Sequence, residues 1–267
     1  MKTNHMTKTQ TYAVAALIAA ALTAQAGTPS KPLTSTEKGL LPVNGSFGVD
    51  VSNGYTYKGV HLDSTSSTQT YLNLSLPFEV HAYGIDSASV DVSTRQFSNP
   101  NAVLNDWVRS EVVVGVGLTR GNFTLTPSYH SNTSPNSEKG SSQAVDLTLD
   151  YRGLLGLDPH VSVYKGLAGT PGQGSGRGTF YQVGVAPTVG KAYKTTFVLP
   201  VNVNYGTDGF YAANQKCSYT TVGLEASTEI AKNVSLNTSL TRLFTDKKVN
   251  AEKPNFWIAS AGVELTF

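Results

Sequence analysis

The 267-residue chain carries 20 basic and 18 acidic side chains and a single cysteine, Cys217. Charge so close to balance argues against a nucleic-acid binder, which needs clustered basic charge, and one cysteine excludes a disulfide-stapled secreted scaffold. Past residue 27 no run approaches 18 apolar residues, so any membrane crossing there has to be made by strands.

In chain order, residues 1–10 hold Lys2 and Lys8 and no acid, an apolar run from Ala13 to Leu22 follows, and Ala24-Gln25-Ala26 closes the segment. A basic stretch, a short apolar stretch and an A-x-A site are the anatomy of a cleaved secretory signal peptide, expected over 1–26. Its apolar run is too short for a hydrocarbon core of about 30 Å. Removing it leaves 18 charges of each sign. Residues 27–44, with Pro29, Pro32 and Pro42, read either as a periplasmic tail or as a segment folded into a lumen as a partial plug; proline content favours the tail.

From residue 45 to 267 the period is two almost throughout. Phe47, Val49 and Val51 alternate with Gly48, Asp50 and Ser52, and the pattern carries on through Tyr55 and Tyr57. Val112, Val114, Val116 and Leu118 alternate with Arg109, Glu111, Gly115, Gly117 and Thr119. Val145, Leu147 and Leu149 alternate with Asp146, Thr148 and Asp150. These are two-faced strands. Twelve are predicted, over 45–58, 68–81, 85–97, 107–119, 122–131, 142–153, 158–167, 178–189, 192–205, 217–230, 233–245 and 255–267. Every second link is short ("HAYGID", "TRGN", "GLLGLD", "VGKAY", "IAKN"), while the others are long and polar. That asymmetry predicts an all-β, transmembrane antiparallel barrel with short periplasmic turns and long extracellular loops. Tyr55, Tyr57, Phe97, Trp107, Phe123, Tyr129, Phe180, Tyr193 and Trp257 sit near strand ends and are expected to form interfacial girdles.

A closed barrel seals its last strand against its first, so the chain should end on a strand. The terminal pattern Ser260, Gly262, Leu265 and Phe267 resembles the C-terminal assembly signal of bacterial outer-membrane proteins, with Leu265 standing where an aromatic is more usual. The stretch Ser52-Asn-Gly-Tyr-Thr-Tyr-Lys-Gly-Val60 resembles the opening of the TorF-type porins, in which a tyrosine-rich first strand runs into a basic-glycine pair; Lys58 replaces the usual arginine. The resemblance implies an outer-membrane barrel of Gram-negative type, with outer-membrane lipids and the barrel-assembly machinery as partners. It carries no site residues with it.

No metal or nucleotide motif appears: there is no H-E-x-x-H, no paired C-x-x-C, and "GLAGTPGQGSGRG" lacks the lysine of a phosphate-binding loop. No cofactor is expected. The string Tyr129-His130-Ser131-Asn132 suggests a hydrolase, but neighbouring strand residues face opposite ways, so His130 and Ser131 cannot pair in one regular strand. Alternation places Asp50, Asp91, Arg95, Arg109, Glu111, Asp146, Asp150 and Glu225 inward as pore-lining residues, with Glu79, Glu264 and Arg152. Inward Gly48, Gly54, Gly115, Gly117, Gly223 and Gly262 are expected to leave room along the walls. Twelve strands enclose more than the eight or so that side chains fill. The expectation is a narrow, water-filled channel for small hydrophilic solutes with a lean towards cations. The alternatives are a plugged barrel that binds a partner through its loops and an outer-membrane lipid hydrolase.

Overall fold

A computed structural model describes residues 43–63, 66–80, 84–98, 107–133, 141–153, 156–168, 178–211, 216–247, 250 and 255–267. The signal peptide, almost all of the proposed tail, His81 and the centre of the glycine-rich link lie outside the described residues. Among the described residues there are sixteen strands: β1 Asn44–Ser52, β2 Tyr55–Tyr57, β3 Val60–Asp63, β4 Ser67–Glu79, β5 Ser87–Ser98, β6 Trp107–Arg120, β7 Phe123–Thr133 and β8 Ser141–Tyr151. They continue with β9 His160–Ala168, β10 Thr179–Val185, β11 Thr188–Ala192, β12 Thr195–Val198, β13 Val201–Gly206, β14 Cys217–Ala231, β15 Val234–Thr245 and β16 Asn255–Thr266.

Fourteen of them form one antiparallel sheet that closes on itself through the β14–β15 and β1–β16 pairings. Two pairs are single barrel strands interrupted at proline. β10 and β11 flank Ala186-Pro187, and β12 and β13 flank Leu199-Pro200. Register runs unbroken across the second interruption, Val198 opposite Glu225 and Val201 opposite Val222. Proline lacks the ladder donor, yet the carbonyls stay engaged: Pro187 accepts from Leu199 N at 3.0 Å and Pro200 from Gly223 N at 2.8 Å. Counted as continuous strands, the ring has the twelve members expected.

Alternation sorts the faces. Val49, Val114, Val116, Leu147, Val163, Val183, Val203, Leu224, Leu240 and Val263 are exposed on the outside, in an apolar band that no water-soluble monomer presents. A sheet with no edge and an apolar exterior is a membrane-spanning barrel of the outer-membrane type. Tyr129, Phe123, Tyr193 and Trp257 lie exposed in this surface. Arg242 reaches over the rings of Phe244 and Trp257, 5.5 and 5.0 Å from their centroids, keeping its charge at the rim. One rim carries tight turns, with Gly121-Asn122, Tyr193-Lys194 and Lys232-Asn233 as two-residue links; Gly121, Tyr193 and Asn233 take positive φ, as hairpin turns demand. Both the start of β1 and Phe267 belong to this rim.

The first predicted strand needs correction. β1 ends at Ser52, and the chain leaves the wall at Asn53-Gly54. Tyr55 and Tyr57 then belong to a separate two-stranded hairpin, β2–β3, whose two-residue turn is Lys58-Gly59. Both turn residues have positive φ, 49° and 82°. Glycine is required at 59 for a second reason: a Cβ there would run into the Tyr219 ring. Tyr55, Tyr57, Phe97 and Phe180 are therefore not girdle residues. They point into the barrel.

Candidate functional site

Most of the residues buried in this structure lie inside the barrel, towards the long-link rim. Ser67, Arg109, Asn132, Ala144, Tyr164, Phe180, Asn204, Tyr219, Leu243 and Phe256 come from ten different strands and form an inward belt there. The β2–β3 hairpin fills the middle of this belt. It springs from between β1 and β4 and reaches Tyr164 on β9 and Phe180 on β10, six and seven strands round a ring of twelve. It thus crosses the lumen from one wall to the opposite one.

Several contacts hold the tip. Lys58 Nζ lies 4.4 Å from the Tyr164 ring centroid and 4.7 Å from that of Phe180. Tyr211 Oη donates to the Lys58 carbonyl at 2.8 Å, and Asn250 Nδ2 donates to the Gly59 carbonyl at 2.7 Å while its Oδ1 accepts from His61 N at 2.9 Å. Tyr57 shares a hydroxyl–hydroxyl hydrogen bond of 3.1 Å with Tyr164 and takes the Arg109 guanidinium on its ring face at 3.2 Å. Tyr55 packs on Phe97 with centroids 4.3 Å apart. Phe210 stacks on Phe180 and meets Tyr164 edge-on. Burial pushes the Lys58 ammonium below its ordinary pKa and the Tyr57 phenol above its own; the ring faces under Lys58 offset part of that cost by cation–π attraction.

Beneath the hairpin lies a cavity of ≈ 990 Å³ that runs to Asn44, Gly45, Thr266 and Phe267 at the short-turn rim. Asp50, Asp91, Arg95, Glu111 and Asp146 line it. A second cavity of ≈ 540 Å³ at the short-turn side is lined by Asp91, Asp150 and Arg152. Glu225 stands exposed on the inward face opposite Ser239. Arg109 is buried in the belt and donates through Nε and Nη2 to Asn132 Oδ1, the first at 3.1 Å, with Glu111 4.0 Å away.

The inward glycines do not leave the free space expected of them. A Cβ on Gly48 would overlap the Tyr71 ring, one on Gly117 the Ser89 hydroxyl, one on Gly262 the Asp50 carboxylate and the Val49 carbonyl. Side chains of neighbouring strands lie flat across these glycines, so the missing Cβ atoms are used by the wall itself. Gly54 lies off the wall, at the base of the hairpin. At the seam Asp50 faces Gly262, Ser260 shares a 2.7 Å hydrogen bond with Ser239, and Leu265 is exposed outside opposite Phe47. Phe267 exchanges both backbone hydrogen bonds with Gly45, at 2.8 and 2.9 Å, and its ring occupies the space a Gly45 side chain would need.

Sequence reasoning also passed over one pairing. His130 faces away from Ser131, as expected, but it meets Ser128, two residues back on the same face, and Glu111 on the adjacent strand. The same period of two that separates 130 from 131 joins 130 to 128.

No protein-family model matches the chain, and a search of curated proteins returns no match. Among solved structures the chain is similar to the NanC porin, at 10% identity and TM-score 0.48, over 84% of this chain and 99% of that one. The KdgM porin in complex with disordered oligogalacturonate gives 10% identity and 0.47 over the same shares. Outer membrane phospholipase A from Escherichia coli gives 14% and 0.49, over 84% of this chain and 92% of its own. The barrel itself rests on the chain's own strand pairing.

Proposed function

We propose that the chain is an outer-membrane porin-type channel for small hydrophilic solutes, of TorF-type kinship, in which the hairpin 55–63 caps the lumen at the long-link mouth. The observation that supports a channel is the closed twelve-strand ring with a cavity of ≈ 990 Å³ inside it, lined among others by Asp50, Asp91, Arg95 and Asp146. The cap supports a second reading, a plugged barrel whose long loops engage a partner. The signal peptide would carry the chain across the inner membrane, and Ser260, Gly262, Leu265 and Phe267 would present the last strand to the assembly machinery.

Below the cap the wall carries more acids than cations, with Asp50, Asp91 and Asp146 against Arg95 along the main cavity. Glu111 contributes less, because Arg109 stands beside it. A confined field of one sign gathers counter-ions, screened over a Debye length of about 10 Å at 0.1 M salt. Reversal potentials across a salt gradient in a planar bilayer test this. Cation preference is expected at low salt, fading near about 1 M salt and weakened by Asp50→Asn, Asp91→Asn and Asp146→Asn together. Anion preference would overturn the charge reading. Absence of any conductance, with the hairpin present or excised, would leave the plugged interaction barrel.

A further inference from the structure

The geometry points to an esterase site on the lumen wall, with Ser128 as nucleophile, His130 as general base and Glu111 as the carboxylate that orients it. Ser128 Oγ is 3.1 Å from His130 Nε2, and His130 Nδ1 is 3.3 Å from Glu111 Oε1. Each link uses a different ring nitrogen, which is the arrangement that nucleophilic acyl transfer needs. With Nδ1–H donated to Glu111, Nε2 is left to accept the serine proton. The imidazole is held on a further side by Tyr164, edge-on with centroids 5.2 Å apart. Glu111 is backed by Arg109, which Asn132 fixes in turn. All three groups stand on paired strands, β6 and β7, so they are set in place by the sheet and not by a loop.

The serine is reachable. Ser128, His130 and Glu111 all line the ≈ 990 Å³ cavity. Directly opposite Ser128 on β6 is Gly115, where a Cβ would crowd the serine Cβ at 3.3 Å. Around the serine the cavity offers Asn73, Gln69, Ser75, Ser93, Asp91 and Asp146 as hydrogen-bonding partners, so the substrate class is a short acyl ester of a small hydrophilic alcohol. In the first step Ser128 Oγ bonds to the acyl carbon and its proton passes to Nε2. The adduct collapses with cleavage of the ester C–O bond, and the Nε2 proton goes to the departing alkoxide. Water then attacks the acyl-serine, giving a proton to Nε2 that returns to Ser128 Oγ. Ester and water become acid and alcohol, with no other reactant.

The site goes beyond the channel reading and does not depend on conductance. The test uses the folded, heat-modifiable chain in detergent micelles, treated with diisopropyl fluorophosphate and assayed on p-nitrophenyl acetate. The expected result is a covalent adduct on Ser128 and a hydrolysis rate that falls about a hundredfold or more in S128A and in H130A. S131A, on the opposite face of the same strand, should keep the full rate. S128C, probed with a small methanethiosulfonate, reports access. If that thiol is labelled while wild-type Ser128 stays unmodified, the serine is reachable but not activated, and the proposal fails. If the thiol is not labelled, no ester reaches the site, and it fails equally.

Discussion

At the scale of single residues, what a side chain costs depends on which face its number puts it on. Val114 is exposed on the outside near the middle of β6, whereas Thr119 lines the short-turn cavity and shares a 3.1 Å hydroxyl hydrogen bond with Thr124. Val114→Arg should destabilise the folded barrel by about 2–4 kcal/mol, the cost of a charge at the lipid midplane. Thr119→Arg should cost far less, because its guanidinium stays in water. Urea midpoints in lipid vesicles would compare the two, and equal tolerance would mean a register slipped by one residue. The glycines show where such reasoning stops. Alternation put Gly48 and Gly262 on the inner face, but only the cross-strand register brings Tyr71 and Asp50 over them.

Among the elements, the β2–β3 hairpin is the one that crosses the lumen. Replacing residues 55–63 with a short glycine-serine link should leave the barrel folded and raise single-channel conductance severalfold; unchanged conductance would mean that the hairpin obstructs nothing. Burial holds the Lys58 pKa below its ordinary value, so the docked tip binds fewer protons than the undocked one. Docking should then strengthen as pH rises towards the ordinary lysine range, and openings should become rarer. The twelve wall strands were legible in the sequence because lipid outside and water inside impose a strict period of two. The hairpin was not, because Tyr55 and Tyr57 continue that period past Ser52. Nothing local tells a strand that runs on from one that leaves the wall at Asn53-Gly54 and folds inward. The pairing of Ser128, His130 and Glu111 was half legible: the i, i+2 relation is in the sequence, but Glu111 joins only through the β6–β7 register.

For the whole molecule, closure is the decisive event, and Phe267 completes it against Gly45. Deleting Phe267 should leave export intact but lower the heat-modifiable, membrane-inserted fraction, since the seam loses two backbone hydrogen bonds and the ring that covers Gly45. Gel mobility of unboiled samples would show it, and an undiminished folded fraction would refute it. The cap described above also gives the barrel a sidedness. With the hairpin docked, the chamber beneath it has its doorway at the short-turn rim, beside Asn44 and Phe267. On the channel reading proposed above, solutes there arrive and depart by the same door, so the chamber samples the compartment that the short turns face. On that reading, the outside world is admitted only when the hairpin lets go.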